Sequence, residues 1–182
     1  ISGLSGAAVV TNAIVAPGSY ALAETALAGY TPNLWSCTAG TLTGSNLSLS
    51  VGQNATCTIN NNDIGPVLTL VKTVTDTSGG PSTVPLFTLT ATGPVTVSGI
   101  TGAAAVTNAT VNAGTYALSE TNVAGYTAGA WACSAGSLVG SDLTLTLGQT
   151  ATCTINNIKR PTLVVRKISN GGTGTFGFSG PN

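Results

Sequence analysis

Apolar and polar residues alternate with a period of two along most of this chain. Leu68-Thr69-Leu70-Val71-Lys72, Phe87-Thr88-Leu89-Thr90, Tyr116-Ala117-Leu118-Ser119-Glu120, Leu143-Thr144-Leu145-Thr146-Leu147 and Ala151-Thr152-Cys153-Thr154-Ile155 all read this way. The pattern predicts strands with one face in a core and one in water. Gly and Pro punctuate the strands at Ser78-Gly79-Gly80-Pro81, Gly93-Pro94, Asn112-Ala113-Gly114, Ala135-Gly136 and Gly148-Gln149. No stretch carries an apolar stripe at helical spacing. Short strands at such intervals predict an all-β chain of antiparallel, immunoglobulin-like β-sandwich architecture.

The pattern is also written twice. Residues 1–61 align with 97–157 without a gap, and 38 of the 61 positions are identical. Tyr20-Ala21-Leu22-Ala23-Glu24-Thr25 returns as Tyr116-Ala117-Leu118-Ser119-Glu120-Thr121, and Ala55-Thr56-Cys57-Thr58-Ile59-Asn60-Asn61 as Ala151-Thr152-Cys153-Thr154-Ile155-Asn156-Asn157. A third copy opens late, where Leu163-Val164-Val165-Arg166-Lys167 echoes Leu68 to Lys72. So long a period fits one small domain per repeat. The chain divides into a repeat lacking its first strands (1–64), a complete repeat (65–160) and the opening strands of a further repeat (161–182). Asp63-Ile64-Gly65-Pro66 and Lys159-Arg160-Pro161 read as linkers. Tandem copies of this kind build length, in stalks, fibres and adhesins.

Charge is scarce: five Lys and Arg, five Asp and Glu, no His, and a net charge of zero. Nucleic acid and anionic membranes need a basic footprint, so neither fits as a partner. No apolar run is long enough to span a bilayer in this segment. The composition offers no cofactor site, no metal site and no nucleophile–base pair, which argues against an enzyme. Without His or a CxxC motif, two cysteines per repeat cannot close a zinc site. Four cysteines allow three pairings; the repeat favours Cys37–Cys57 and Cys133–Cys153, and such pairs suit an extracellular setting. Trp35 and Trp131 read as core residues packing near the disulfides. The sequons at Asn46, Asn54 and Asn108 arise readily in a Thr- and Ser-rich chain.

Against this background a few polar positions stand out. Glu120 shares a strand face with Tyr116 and Leu118, Lys72 with Leu68 and Leu70, and Asn157 with Cys153 and Ile155. Three strands therefore each deliver one polar side chain to an apolar interior, where Lys and Glu occur only when paired. A salt bridge with Asn157 as hydrogen-bonding neighbour is one reading of the cluster.

The run Tyr-x-Leu-x-Glu-Thr followed by Gly-Tyr, with an opening-strand Lys and a closing-strand Asn, resembles the collagen-adhesin B-type, prealbumin-like (SpaA-type) domains of bacterial pilins and surface adhesins. The resemblance covers residues 66–158. It implies that Lys72 and Asn157 condense into an intramolecular isopeptide bond assisted by Glu120. The Trp131, Cys133 and Cys153 set departs from that pattern, and the disulfide could replace the isopeptide staple. The implied function is a structural subunit of an extracellular fibre or cell-surface stalk; the alternative is the repeat region of an adhesin binding a sugar or host protein.

The third copy extends the argument to assembly. With small gaps, Phe176 falls on Phe87 and Gly180-Pro181 on Gly93-Pro94. Residues 161–182 are therefore expected to complete the 1–64 domain of an identical neighbouring subunit by strand addition, head to tail; the alternative is that the chain is a window on a longer array, where the same contact is chain continuity. Lys167 would then stand beside Glu24 and Asn61, where a covalent Lys167–Asn61 link is chemically open.

Overall fold

Alternation decides burial along the Val67–Thr75 strand. Leu68, Leu70 and Lys72 are buried, while Thr69, Val71 and Thr73 face outward. The computed structural model describes residues 1–76, 84–168, 170–172 and 174–180. The expected turn at Ser78-Gly79-Gly80-Pro81, like Pro181 and Asn182, lies outside the described residues.

Between Val67 and Lys159 the chain forms two sheets. One has the strand order Ala109–Thr110, Val67–Thr75, Thr150–Lys159, Tyr126–Cys133; the other runs Val97–Gly99, Leu89–Thr92, Gly114–Glu120, Asp142–Leu145, Ser137–Val139. Both contribute to a single buried cluster. Leu68, Leu70, Ala151, Cys153 and Ile155 enter from the first sheet, and Leu89, Ala91, Tyr116, Leu118, Leu143 and Leu145 from the second. Trp131 joins this cluster, as expected of a core residue. The Tyr116 hydroxyl donates to the Asn112 carbonyl at 2.6 Å, so the one polar atom of this buried ring is satisfied.

The structure corrects the sequence reading in three places. The first and last strands of the repeat, Val67–Thr75 and Thr150–Lys159, pair in parallel from Thr150↔Val67 to Ile158↔Thr75, where an antiparallel sheet was expected. Hairpins force antiparallel neighbours, but these two strands are joined through the whole unit and carry no such constraint. Phe87 stands ahead of the Leu89–Thr92 strand, after a single 3₁₀ turn at Val84–Leu86, yet is fully buried. The strand expected at Leu143–Leu147 stops at Leu145, because Thr146 turns to donate its N–H to the Gln149 Oε1.

Residues 1–64 repeat the strand pairings of the second copy in three small sheets. Gly18–Ala21 pairs with Asn46–Leu49 in the register of Gly114 with Leu145. Cys37 opposes Cys57 as Cys133 opposes Cys153. Both expected disulfides are present, and there are no free cysteines among the described residues. What differs is burial. Tyr116, Leu118, Leu145 and Ile155 are almost wholly buried, whereas their counterparts Tyr20, Leu22, Leu49 and Ile59 are only partly covered. No strand in this unit corresponds to Val67–Thr75 or Leu89–Thr92. The described residues from Pro161 onward form no strand and are exposed.

Burial pushes the Tyr116 phenol above its ordinary value of 10.0, with backbone hydrogen bonds at Val95 and Asn112 partly opposing the rise. The unfolded chain then ionises at lower pH than the folded one, so this contribution is intact below pH 10 and is lost as pH rises through the folded value. Thermal melts between pH 8 and 11 should show a decline above pH 10 that is shallower in Tyr116→Phe.

Candidate functional site: a buried Lys–Glu–Asn cluster

Lys72 and Asn157 are the two buried polar residues among the described residues, each 2 % exposed. Their positions follow from the parallel ladder, in which Lys72 lies opposite Ile155 and Val74 opposite Asn157. Two residues separate the pair in register, so both side chains leave the same face of the sheet. Glu120 comes from the facing sheet, at the end of the Gly114–Glu120 strand, where it pairs with Leu89.

The carboxylate of Glu120 bridges the other two. Its Oε2 accepts from Lys72 Nζ at 2.5 Å, and its Oε1 accepts from Asn157 Nδ2 at 2.7 Å. The lysine side chain has no exposed surface and the glutamate side chain is 9 % exposed. Lys72 Nζ also lies 4.4 Å over the centre of the Phe87 ring, which packs edge to face on Tyr126 at 5.1 Å. Phe87 thus shields the ammonium from water and offers it a cation–π face. The backbone N–H of Lys72 donates to Thr101 Oγ1 at 2.6 Å. One polar atom is left over: Asn157 Oδ1 is buried with no hydrogen-bond partner.

The arrangement has definite chemical content. Burying a charged pair is tolerable only with close pairing and hydrogen bonding, and the Lys72–Glu120 contact supplies one short charged bond. The unpartnered carbonyl oxygen is costly in a dry interior. Turning the carboxamide would bring this oxygen to Glu120, which could bond it only as a protonated acid. A neutral amine, a polarised carboxamide and a carboxylic acid are the reactants of a transamidation.

The first copy holds part of the same set. Asn61 Nδ2 donates to Glu24 Oε2 at 3.0 Å, repeating the Asn157–Glu120 contact. Both residues are exposed, as is Tyr30, the counterpart of Tyr126. Lys167 is not among them: its Nζ sits 4.2 Å over the Phe176 ring, a pairing that mirrors Lys72 on Phe87. The sequence singled out the Lys, Glu and Asn through face alternation. It missed Phe87, whose lid-like position depends on a bend outside the strand. Among the described residues no group of acidic, Cys or His side chains could hold a metal ion.

Two sheets closing over one core, with first and last strands side by side, define a β-domain of the prealbumin-like kind. The model of the SpaA-type prealbumin-like fold domain matches residues 1–59 and 63–155, and the chain belongs to that family. It is a family of structural surface domains, typical of pilins and surface proteins, and not an enzyme family. No curated protein and no solved structure matches the chain significantly.

Removing one member of the buried pair should be expensive. Lys72→Met leaves the Glu120 carboxylate desolvated without its cation, at a cost of about 3–5 kcal/mol. Adding Glu120→Gln removes the stranded charge and should recover a large part of the loss. Urea denaturation of the two variants against the parent chain measures both effects.

Proposed function

We propose that this chain is a structural subunit of an extracellular bacterial fibre or surface stalk, whose complete repeat is stapled by an isopeptide bond between Lys72 and Asn157. The observation that carries this reading is the placement of the buried cluster. It links the opening strand to the closing strand of the repeat, through Glu120, and Lys72 and Asn157 are the buried polar residues among those described.

The chemistry follows from position and dryness. Lys72 Nζ lies in direct contact with Glu120 Oε2, so a proton can pass from the amine to the carboxylate without leaving the cluster. The free amine attacks the Asn157 side-chain carbonyl carbon while the Glu120 acid donates to the carbonyl oxygen. Glu120, now a carboxylate, takes the proton released by the attacking Lys72 nitrogen and passes it to the departing Asn157 nitrogen, and the carbonyl oxygen gives its proton back to Glu120 as the C=O re-forms. The C–N bond to the original amide nitrogen breaks, ammonia leaves, and one new amide joins the strands. Holding the groups together in a closed core replaces a high concentration of reagents. The reaction runs once per site, so this is self-crosslinking and not turnover.

The location suits a load-bearing role. Chain enters the repeat at Val67 and leaves at Lys159, the opposite ends of two parallel neighbours. Tension along a tandem array would shear this pair, and a covalent bond between the two strands would carry the load past the hydrogen bonds. The Cys133–Cys153 disulfide adds a second staple, worth about 3 kcal/mol in the chain-entropy picture. In the first copy, Glu24 and Asn61 would support the same chemistry once a lysine reached them, and Lys167 occupies the matching place in the repeat.

Intact mass spectrometry tests the bond. The chain should weigh one ammonia less than its sequence for the Lys72–Asn157 link, and Glu120→Ala should restore the full mass. A wild-type chain of full mass would reduce the cluster to a noncovalent ion pair.

A further inference from the structure

Asp63-Ile64-Gly65-Pro66 reads as a linker in the sequence, yet the fold leaves it no slack. Three residues, 64–66, separate the Asn61–Asp63 strand of the first unit from the Val67–Thr75 strand of the second. Ile64 is bonded to both units at once. Its N–H donates to the Gly29 carbonyl at 2.8 Å, and its carbonyl accepts from Gly148 N at 2.7 Å. Gly65 passes so close to the second unit that a Cβ there would lie 2.9 Å from the Val111 carbonyl oxygen, an approach that suits glycine alone. Pro66 is fully buried, its ring fixes its φ, and its carbonyl accepts from Val111 N at 2.9 Å. Val67 N then donates to the Gln149 carbonyl at 2.8 Å. A mobile segment has few contacts and backbone groups open to solvent; residues 64–67 are each tied or wedged.

The turns that clamp this segment also touch each other. Gly29 and Gly148 both hold positive φ, 85° and 74°. A Cβ on Gly29 would lie 2.6 Å from the Leu147 Cβ and 3.0 Å from the Leu147 carbonyl oxygen, and one on Gly148 would lie 3.1 Å from the Gly29 Cα. The two units therefore meet backbone to backbone. Both halves of the contact are shaped within a repeat. Arg160 N donates to the Gly125 carbonyl at 2.7 Å, as Ile64 N does to that of Gly29. Gln53 Oε1 accepts from Ser50 N at 2.8 Å, as Gln149 Oε1 does from Thr146 N at 2.9 Å, so the Val51-Gly52 and Leu147-Gly148 turns are built alike. Gly125 shares the backbone of Gly29, with φ 88°, but a Cβ on it would meet nothing within 4 Å.

We propose that residues 64–66 form a rigid coupling between repeats. The Gly29 turn of one repeat seats on the Leu147-Gly148 turn of the repeat that follows it, and Ile64 bonds the two together. Successive repeats are then held at one fixed angle and behave as a rod, where a free linker would make them beads on a string. Bending and twisting forces pass between units through hydrogen-bonded backbone. This goes beyond the fibre reading and uses no residue of the Lys–Glu–Asn cluster, so the coupling and the isopeptide bond fail independently.

Backbone NMR of the full chain tests it. Coupled units share one rotational correlation time and one alignment tensor, and the order parameters of Ile64 and Gly65 match those of rigid backbone, about 0.85. This measurement needs no variant to fold. Gly29→Ala forces the two turns apart and should give the units separate alignment tensors, with exchange of the Gly148 amide faster on the order of tenfold. Gly125→Ala imposes the same backbone strain with nothing to collide with, and should leave both readouts unchanged. Independent tumbling of the two units in the parent chain, order parameters below about 0.6 at residues 64–66, or equal effects of the two substitutions would overturn the coupling. An ammonia deficit together with independent tumbling sinks the coupling alone. Full mass together with a single alignment tensor sinks the bond alone.

Discussion

The parallel pairing of Val67–Thr75 with Thr150–Lys159 is the constraint on which the rest of this structure depends. It joins the two ends of a repeat and so closes the core over Leu68, Leu70, Cys153 and Ile155. It also sets Lys72 and Asn157 on one face, two positions apart in register, with Glu120 reaching between them from the other sheet. Slip either strand by one residue and its polar group would turn to solvent while its outward neighbours turned inward, separating Lys72 from Asn157. Fold and site therefore rest on one ladder.

The two copies separate local from long-range effects under nearly constant sequence. Tyr20 and Tyr116 occupy equivalent strands in the same register, and the hydroxyl of each donates to a carbonyl four residues earlier. Asn12 and Asn108 both adopt positive φ. Hairpins, turns and disulfides thus form alike in both. Burial does not, because it needs Leu68, Leu70, Phe87 and Leu89 as a cover, and the 1–64 unit has none. The hydrophobic driving force scales with apolar area removed from water, so the same residues hold a sealed core in one copy and an open face in the other.

Scarcity of charge gives the cluster its meaning. A surface built from Thr, Ser and Asn is hydrated without ion pairs, as in the outward Thr90–Ser98 and Thr115–Thr144 contacts. Besides the half-buried Lys159–Asp76 pair at the end of the same two strands, the ion pair among the described residues is the one in the core. Exposed pairs contribute little to stability. A buried pair placed between first and last strands, with an amide beside it, is an expensive arrangement that a purely structural core could replace with apolar residues.

Much was legible in the chain itself. Period-two alternation located the Lys72, Glu120 and Asn157 strands and the faces these residues share, because side-chain direction in a strand is a local property. The repeat favoured the Cys37–Cys57 and Cys133–Cys153 pairing, since each copy carries the same two cysteines at the same spacing, and both bridges are present. Three features needed the tertiary structure. The first and last strands run parallel because their connection imposes no direction. Phe87 covers Lys72 from a bend outside any strand, beyond the reach of periodicity. The open state of Glu24 and Asn61 has no local cause at all: their own sequence matches that of Glu120 and Asn157, and only the presence or absence of a covering strand from elsewhere decides whether such a site is sealed.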